Sequence, residues 1–317
     1  MSESFSIDET DRKIIEQLRK NGRATNQQIA EALDLIAPTV SARIRRMEEA
    51  DMLRVIAVSD FAVHGYNVII QMAIEIDGRP ASQVVNELAT FPEVFAAYLV
   101  TGRHDIDLIV VLREMEELAP LIVGKFSRVR GIRTMTPAIA LEYQYGHTPV
   151  EYEGARVTKP DLDELDHQLI AILAEDARVS NRKIAADLGV NEGTIRGRIK
   201  RLQQDGMIAF TALTSPKMES ATKVAFINIQ ADVDNVRAIA RKIAELPMVN
   251  TVMIMLGRFN ILTFCLFRDL DKLHALASDQ ILAVKGVHHI ETSIAVRTVK
   301  YNPRVVRITE TPKSDDA

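Results

Sequence analysis

With a single cysteine among 317 residues, an intrachain disulfide is ruled out. Cys265 sits in the apolar run Ile261–Phe267 and is expected to be a core residue rather than a reactive thiol. Excess positive charge is also missing. Lys and Arg number 39 against 43 Asp and Glu, a formal charge of −4, so any grip on a polyanion must come from local patches. No apolar run reaches the ~18 residues of a membrane span, and the N-terminus lacks the basic-then-apolar pattern of a secretory signal. The expected compartment is the cytoplasm. The chain has no glycine loop of phosphate-binding spacing and no arrangement of Ser, His and Asp that suggests nucleophilic catalysis. His288-His289 has neither a nearby cysteine nor an i,i+4 partner, so no metal and no cofactor are expected.

What the chain does contain is itself, twice. Residues 7–54 lie over 162–209 without a gap, an offset of 155, with 15 of the 48 positions identical. Composition alone would give about three. The register persists downstream: Pro92 falls on Pro247, Gly102-Arg103 on Gly257-Arg258, and Gly131 on Gly286. A unit this long exceeds the roughly 20–50 residues of a solenoid repeat. It reads as a duplicated two-part module.

The first part of each module is a three-helix pattern. Asp8 and Asp163 are placed as N-caps, followed by acids that suit a helix N-terminus. Ile14, Ile15 and Leu18 form one face, as do Leu169, Ile170 and Leu173. Thr25 and Ser180 open a second short helix, and a tight turn follows at Asp34-Leu35 or Gly189-Val190. The third helix is predicted over roughly Pro38–Glu49 and Gly193–Gln204. Stepping 100° per residue from the buried Val40, Ile44 and Met47 puts Pro38, Ser41, Ala42 and Arg45 on the opposite face, with Arg43 and Arg46 on its flanks. In the second copy the outward set is Gly193, Arg196, Gly197 and Lys200, flanked by Arg198 and Arg201. Thr39 and Thr194 stand in the first turns. A helix lying in the major groove wants small or hydrogen-bonding residues toward the bases and cations along the phosphates. The two outward faces differ, which predicts two unlike half-sites in a DNA target.

The second part alternates like a sheet. Strands are predicted at 68–76, 94–100, 106–112 and 132–143, with helices at 80–90 and 115–129, and the same βαββαβ order recurs at 224–299. A ferredoxin-like sheet with helices on one face is therefore expected in each half. The first strand's other face carries Ile69, Gln71, Ala73 and Glu75, or Val224, Phe226, Asn228 and Gln230. These are too apolar to stay wet, which predicts face-to-face pairing of sheets, within one chain or between chains.

These features together resemble a tandem duplication of the Lrp/AsnC (feast/famine) regulators, over about 7–146 and 162–301. The markers are Ile7-Asp8-x-x-Asp11-x-x-Ile14, Asn21-Gly22-Arg23, Val40-x-x-Arg43-Ile44-x-Arg46-Met47-Glu48, Gly102-x-x-Asp105 and Gly131-Ile132. The resemblance implies an α+β chain of two winged helix-turn-helix heads, each followed by a ferredoxin-like effector domain. It also implies double-stranded DNA as partner, self-association through the sheets, and a small-molecule effector, commonly an amino acid. In the family the effector lies near the Gly-x-x-Asp turn, which carries over to Gly102, Arg103 and Asp105, and to Gly257, Arg258 and Asn260. A plain strand-connecting turn would use the same residue types.

The expected domains are 1–60 and 162–215 for the heads, 61–146 and 216–303 for the effector domains, 147–161 for a linker and 304–317 for a flexible tail. Departures from the family pattern are Ile36 in place of a capping Ser or Thr, Asp51 in place of glycine, and Asn260 in place of the acid. Two other readings stand beside the regulator. One is a sensor whose heads no longer bind DNA. The other is an enzyme like the sirohaem decarboxylases, which would need arginines and some of His104, His147, His274, His288 and His289 gathered on the sheet domain.

Overall fold

The computed structural model describes residues 7–59, 61–145, 161–214 and 223–301. The expected linker lies outside the described residues apart from Asp161, as does the expected tail. In chain order the elements are α1 (Glu9–Lys20), α2 (Asn26–Leu33), α3 (Ala37–Glu49), β1 (Leu53–Ser59), β2 (Val68–Ile76), α4 (Ala81–Ala89), β3 (Val94–Thr101), β4 (Ile106–Leu112) and β5 (Ile132–Tyr145). The second copy gives α5 (Glu164–Glu175), α6 (Asn181–Leu188), α7 (Glu192–Gln204), β6 (Ile208–Thr214), β7 (Lys223–Ala231), α8 (Val236–Ala244), β8 (Val249–Leu256), β9 (Ile261–Phe267), α9 (Leu270–Ala275) and β10 (Val287–Tyr301). These gather by kind rather than by chain order. One compact unit holds both heads and the other both sheet domains.

In the head unit, the caps read from sequence form. Asp8 and Asp163 accept from the backbone N–H groups of Asp11 and Asp166, and Thr25 from Gln28. Asn191 caps α7 through Thr194, whereas Ile36 offers α3 no side-chain bond. The two heads are joined by strand pairing: β1 runs antiparallel to β6, from Leu53 opposite Thr214 to Ser59 opposite Ile208. Each head thus lends one strand to a shared two-stranded sheet. A single hydrophobic core runs from Ile14, Val40 and Met47 of the first head through Val55 and Phe210 to Leu169, Ile195 and Leu202 of the second. Reciprocal polar ties close the seam. Arg23 donates to Val179 O and Asn181 Oδ1, and Arg178 to Ala24 O and Asn26 Oδ1. Gly22 fits there because a Cβ would stand 2.8 Å from Val55 Cγ1.

The sheet unit corrects the expectation of separate ferredoxin-like sheets meeting face to face. Its eight strands close into one barrel, in the order β10-β3-β4-β2-β5-β8-β9-β7. The cause is the length of β5 and β10. Residues 132–139 of β5 pair with β2, and residues 139–145 run on to pair with β8 of the other half. β10 does the same, leaving β7 at Ile294 for β3 of the first half. Ile139 and Ile294 are equivalent positions, so the exchange is reciprocal. Closure removes the sheet edges that an open sheet leaves unpaired. Of the residues expected on the uncovered face, Ile69, Gln71, Phe226 and Asn228 are buried, Ala73, Glu75 and Val224 are half-buried and Gln230 is exposed, while Ile70, Met72 and Ile74 pack under α4 with Val84, Val85 and Leu88. The helix predicted over 115–129 is instead a series of short 3-10 and π turns. Pro120, which cannot donate a helical hydrogen bond, starts one of them. Cys265 is buried in the second-half core, and burial pushes its thiol up to about 12.

Candidate DNA-binding heads and ligand cleft

The third helix of each head exposes the face expected of a reader. Pro38, Ser41, Ala42 and Arg45 are exposed on α3, and Gly193, Arg196, Gly197 and Lys200 on α7; Thr39 and Thr194 are half-buried. The flanking arginines have other partners. Arg43 reaches Asp8 at 2.6 Å and Asp11 at 2.8 Å, and Arg46 reaches Asp11 at 2.5 Å. Arg198 reaches Asp163 at 2.6 Å and Asp166 at 2.8 Å, and Arg201 binds Asp166. Asp11 and Asp166 are fully buried, so each triad bolts the reading helix to the first helix of its head. Bonds from Arg43 and Arg198 hold the Asp8 and Asp163 carboxyls below the ordinary carboxylate range. Among the described residues the freer cations are Arg45 and Arg196, whose ion pairs are exposed i,i+4 pairs to Glu49 and Glu192, and Lys200, which has no ion pair. Exposed pairs of that kind contribute little and yield readily to a phosphate.

Of the turn residues expected at an effector site, the structure gathers some and reassigns others. Asp105 Oδ2 accepts from Ile76 N at 2.8 Å. Asn260 clasps Ala231 twice, through Oδ1 at 2.9 Å and Nδ2 at 2.7 Å. Both therefore brace the neighbouring strand end, and the Asp-to-Asn difference keeps that job. Neither lines the cleft described next. Gly102 takes φ +129°, and a Cβ at Gly257 would stand 2.8 Å from Ala138 Cβ, so both serve close approach.

Arg103 and Arg258 do come together, in a cleft of about 120 Å³ within the barrel unit. Arg258 lies 2.8 Å and Arg103 3.7 Å from Glu291. Arg258 also stacks on Phe259 at 5.0 Å. Gln71 and His104 line the cleft and both bind the buried Asp107, at 2.9 and 2.8 Å. Burial pulls the His104 imidazole down, but the Asp107 bond and the charges of Asp107, Asp105 and Glu291 outweigh it and raise it above the ordinary value. Asn228, Ala73, Thr136, Pro137, Ala138 and Met255 supply the remaining wall with Glu75, whose partner is Arg133. Asn228, Glu291 and Gln71 line the cleft but are not singled out as effector residues by the sequence. Their signal was a polar side chain on an inward strand position.

One unit of two helix-turn-helix heads with cationic third helices and a second unit, a barrel holding a polar cleft, define a DNA-binding protein with a ligand-binding part. Comparison with known proteins places it. Residues 68–150 and 224–305 match the model of the Lrp/AsnC ligand-binding domain, 7–54 match a winged helix-turn-helix DNA-binding domain, and 162–203 match the AsnC-type helix-turn-helix. The chain belongs to the Lrp/AsnC family of transcriptional regulators. Among its relatives are uncharacterised HTH-type transcriptional regulators of Pyrococcus abyssi, 34% identical over 46% of this chain and 94% of the relative, and of Pyrococcus furiosus, 35% identical over 44% and 95%. A crystal structure of the siroheme decarboxylase NirDL with an iron-uroporphyrin III analogue superposes over 93% of both chains with a TM-score of 0.65 at 15% identity. That likeness is one of fold. No helix among the described residues is long and apolar enough to cross a membrane.

Proposed function

We propose that this chain is a sequence-specific regulator whose two heads read two unlike half-sites and whose DNA affinity is set by a small molecule held in the barrel unit, with an amino acid the class that the family suggests. The observation that carries the reading is the pair of unlike exposed faces: Ser41, Ala42 and Arg45 on α3 against Arg196, Gly197 and Lys200 on α7. The heads share one core and one strand ladder. Spreading them apart would expose that core, so the effector acts on the head pair as a whole rather than on the spacing within it. By linkage, DNA changes effector affinity by the same factor.

The test is selection from a genomic fragment library across a salt series, comparing the wild type with Arg45→Ala and Lys200→Ala. Enriched sites with two unlike halves, each weakened by one variant, are expected. A perfect palindrome as best site refutes the asymmetric reading, and no enrichment at low salt with amino acids present leaves a sensor without DNA binding. An enzymatic role draws on fold likeness and on Arg103, Arg258 and His104 sharing a cleft. The size of that cleft argues against it. Drug-sized ligands occupy pockets of roughly 300–1,000 Å³, and a tetrapyrrole is larger than most of them. Sirohaem added to the protein is expected to leave its visible spectrum unchanged.

A further inference from the structure

Laid over one another, the third helices of the two heads stay apolar at their buried positions and part at their outer ones. From the N-cap onward the exposed or half-buried positions that differ are Ile36, Ala37, Pro38, Ser41 and Ala42 at α3, against Asn191, Glu192, Gly193, Arg196 and Gly197 at α7. The first edge is rich in aliphatic groups and uncharged. The second carries an anion, a cation and two glycines. The two edges differ in kind.

The protein's own folding explains neither edge. Ile36 stands at the N-cap of α3 and gives no side-chain bond, whereas Asn191 caps α7 by accepting from Thr194 N at 2.8 Å. Ile36 is 66% exposed, and no other large apolar side chain is exposed among the described residues of the heads. A stabilising cap is given up there and no burial is gained. Gly197 is the converse case in α7. A Cβ built on it meets nothing within 4 Å, and its backbone is not left-handed. Neither space nor conformation calls for glycine in mid-helix, where it weakens the helix relative to alanine.

Both departures lie toward the N-terminal end of the third helix, the end whose side chains meet base edges in helix-turn-helix proteins. There each gains a use. In the major groove thymine offers its C5 methyl to apolar side chains, and guanine offers O6 and N7 to arginine. Ile36, Pro38 and Ala42 present the first kind of surface. Arg196 presents the second: its guanidinium is 70% exposed, and its ion pair among the described residues is the one to Glu192 at 2.8 Å, so most of its five N–H donors are available. Bare backbone at Gly193 and Gly197 lets α7 come close to the bases. Glu192 adds an acceptor for the amino group of the cytosine paired with that guanine.

We propose that the two heads recognise different base chemistry: the first reads thymine methyl groups through Ile36 and Ala42, and the second reads a guanine through Arg196. The operator is then a thymine-bearing half-site beside a guanine-bearing one, not two variants of one word. Arg45 and Lys200, at equivalent positions one turn further on, serve both heads alike as phosphate contacts. The proposal rests on the reading of both heads as DNA-binding.

The experiment is fluorescence-anisotropy titration of the full-length protein against the site enriched from the genomic library, its halves assigned by Arg45→Ala and Lys200→Ala. In one duplex deoxyuridine replaces thymine throughout the first head's half, which removes only the C5 methyl. In another, 7-deazaguanine replaces guanine throughout the second head's half, which removes N7. Affinity is expected to fall about fourfold per methyl contacted in the first duplex and about fivefold or more in the second. Ile36→Asn, which installs the residue natural at 191, is expected to shrink the response to deoxyuridine without a fall in Tm. Arg196→Ser, which installs the residue natural at 41, is expected to abolish the response to 7-deazaguanine alone. A first half indifferent to deoxyuridine, or a response that Ile36→Asn leaves unchanged, overturns the thymine assignment. A second half indifferent to 7-deazaguanine, or a response that survives Arg196→Ser, overturns the guanine assignment. Those results keep the DNA-binding reading, because the unmodified site still binds; failure to bind any site overturns that reading itself.

Discussion

The arginines of α3 and α7 divide by partner into those tied to a buried carboxylate and those left exposed, which we propose meet DNA, and the division can be tested at Asp11. Its carboxylate is fully buried and receives Arg43 at 2.8 Å and Arg46 at 2.5 Å, while also accepting from Asp8 N at 3.2 Å. Removing one partner of a buried ion pair costs about 3–5 kcal/mol. Arg43 and Arg46 are 27% and 50% exposed, so water recovers part of the loss, and about 2–3 kcal/mol is expected for Asp11→Ala. For a unit between small-domain and medium-domain size, that corresponds to a fall in Tm of about 6–12 °C, read by calorimetry on the full chain. Arg43→Ala is expected to lower Tm in the same sense while leaving the salt dependence of DNA binding unchanged. Lys200→Ala is expected to do the reverse: Tm holds, and the slope of log K against log salt flattens by about 0.9, one phosphate contact. An Arg43→Ala protein with unchanged Tm and a flattened slope would refute the fastener assignment and make Arg43 a phosphate contact.

Other consequences follow from differences between the copies. Ile36→Ser gives α3 the cap that Asn191 gives α7 and is expected to stabilise the head unit by about 1 kcal/mol; Ile36 is 66% exposed, so little burial is lost. A thermal melt checks it, with Asn191→Ala expected to move the other way by a similar amount. Asp51 holds φ +53° where the second copy has Gly206 at +70°. Asp51→Gly is therefore expected to gain about 0.5–1 kcal/mol in chemical denaturation, less whatever the freer unfolded chain takes back. His104 is held above its ordinary pKa. The stability it adds is complete below about pH 6.5 and is lost as pH rises through the higher folded value. The barrel transition should fall across that window in the wild type and stay flat in His104→Gln.

Much of the fold was legible because its signals are local. The capping side chains at Asp8, Thr25, Asp163 and Ser180 and the apolar faces of Ile14 and Leu169 sit within one or two turns of the structure they specify. The pairing of β1 with β6 and the continuation of β5 into the other half carry no local signal, because each partner lies more than a hundred residues away. A strand's alternation records which side is buried, not which strand lies beside it. Alternation correctly grouped Gln71 and Asn228 on one hidden face, yet it could not distinguish two sheets stacked on that face from one barrel closed around it.

The ion-pair clusters leave a trace in the sequence once the two copies are laid over one another. Asp8, Asp11, Arg43 and Arg46 are all identical in the second copy, as Asp163, Asp166, Arg198 and Arg201, while Ser41, Ala42 and Arg45 between them become Arg196, Gly197 and Lys200. Residues that hold a helix in place must match the partner they hold, so they vary together or not at all. Residues that face DNA answer only to the base pairs they meet. The pattern of identity inside one helix therefore separates the bolt from the reading edge. It also ties the two predictions together: if Arg43 proved to be a phosphate contact, its agreement with Arg198 would need a different cause, and the unlike faces of α3 and α7 would lose their fixed frame.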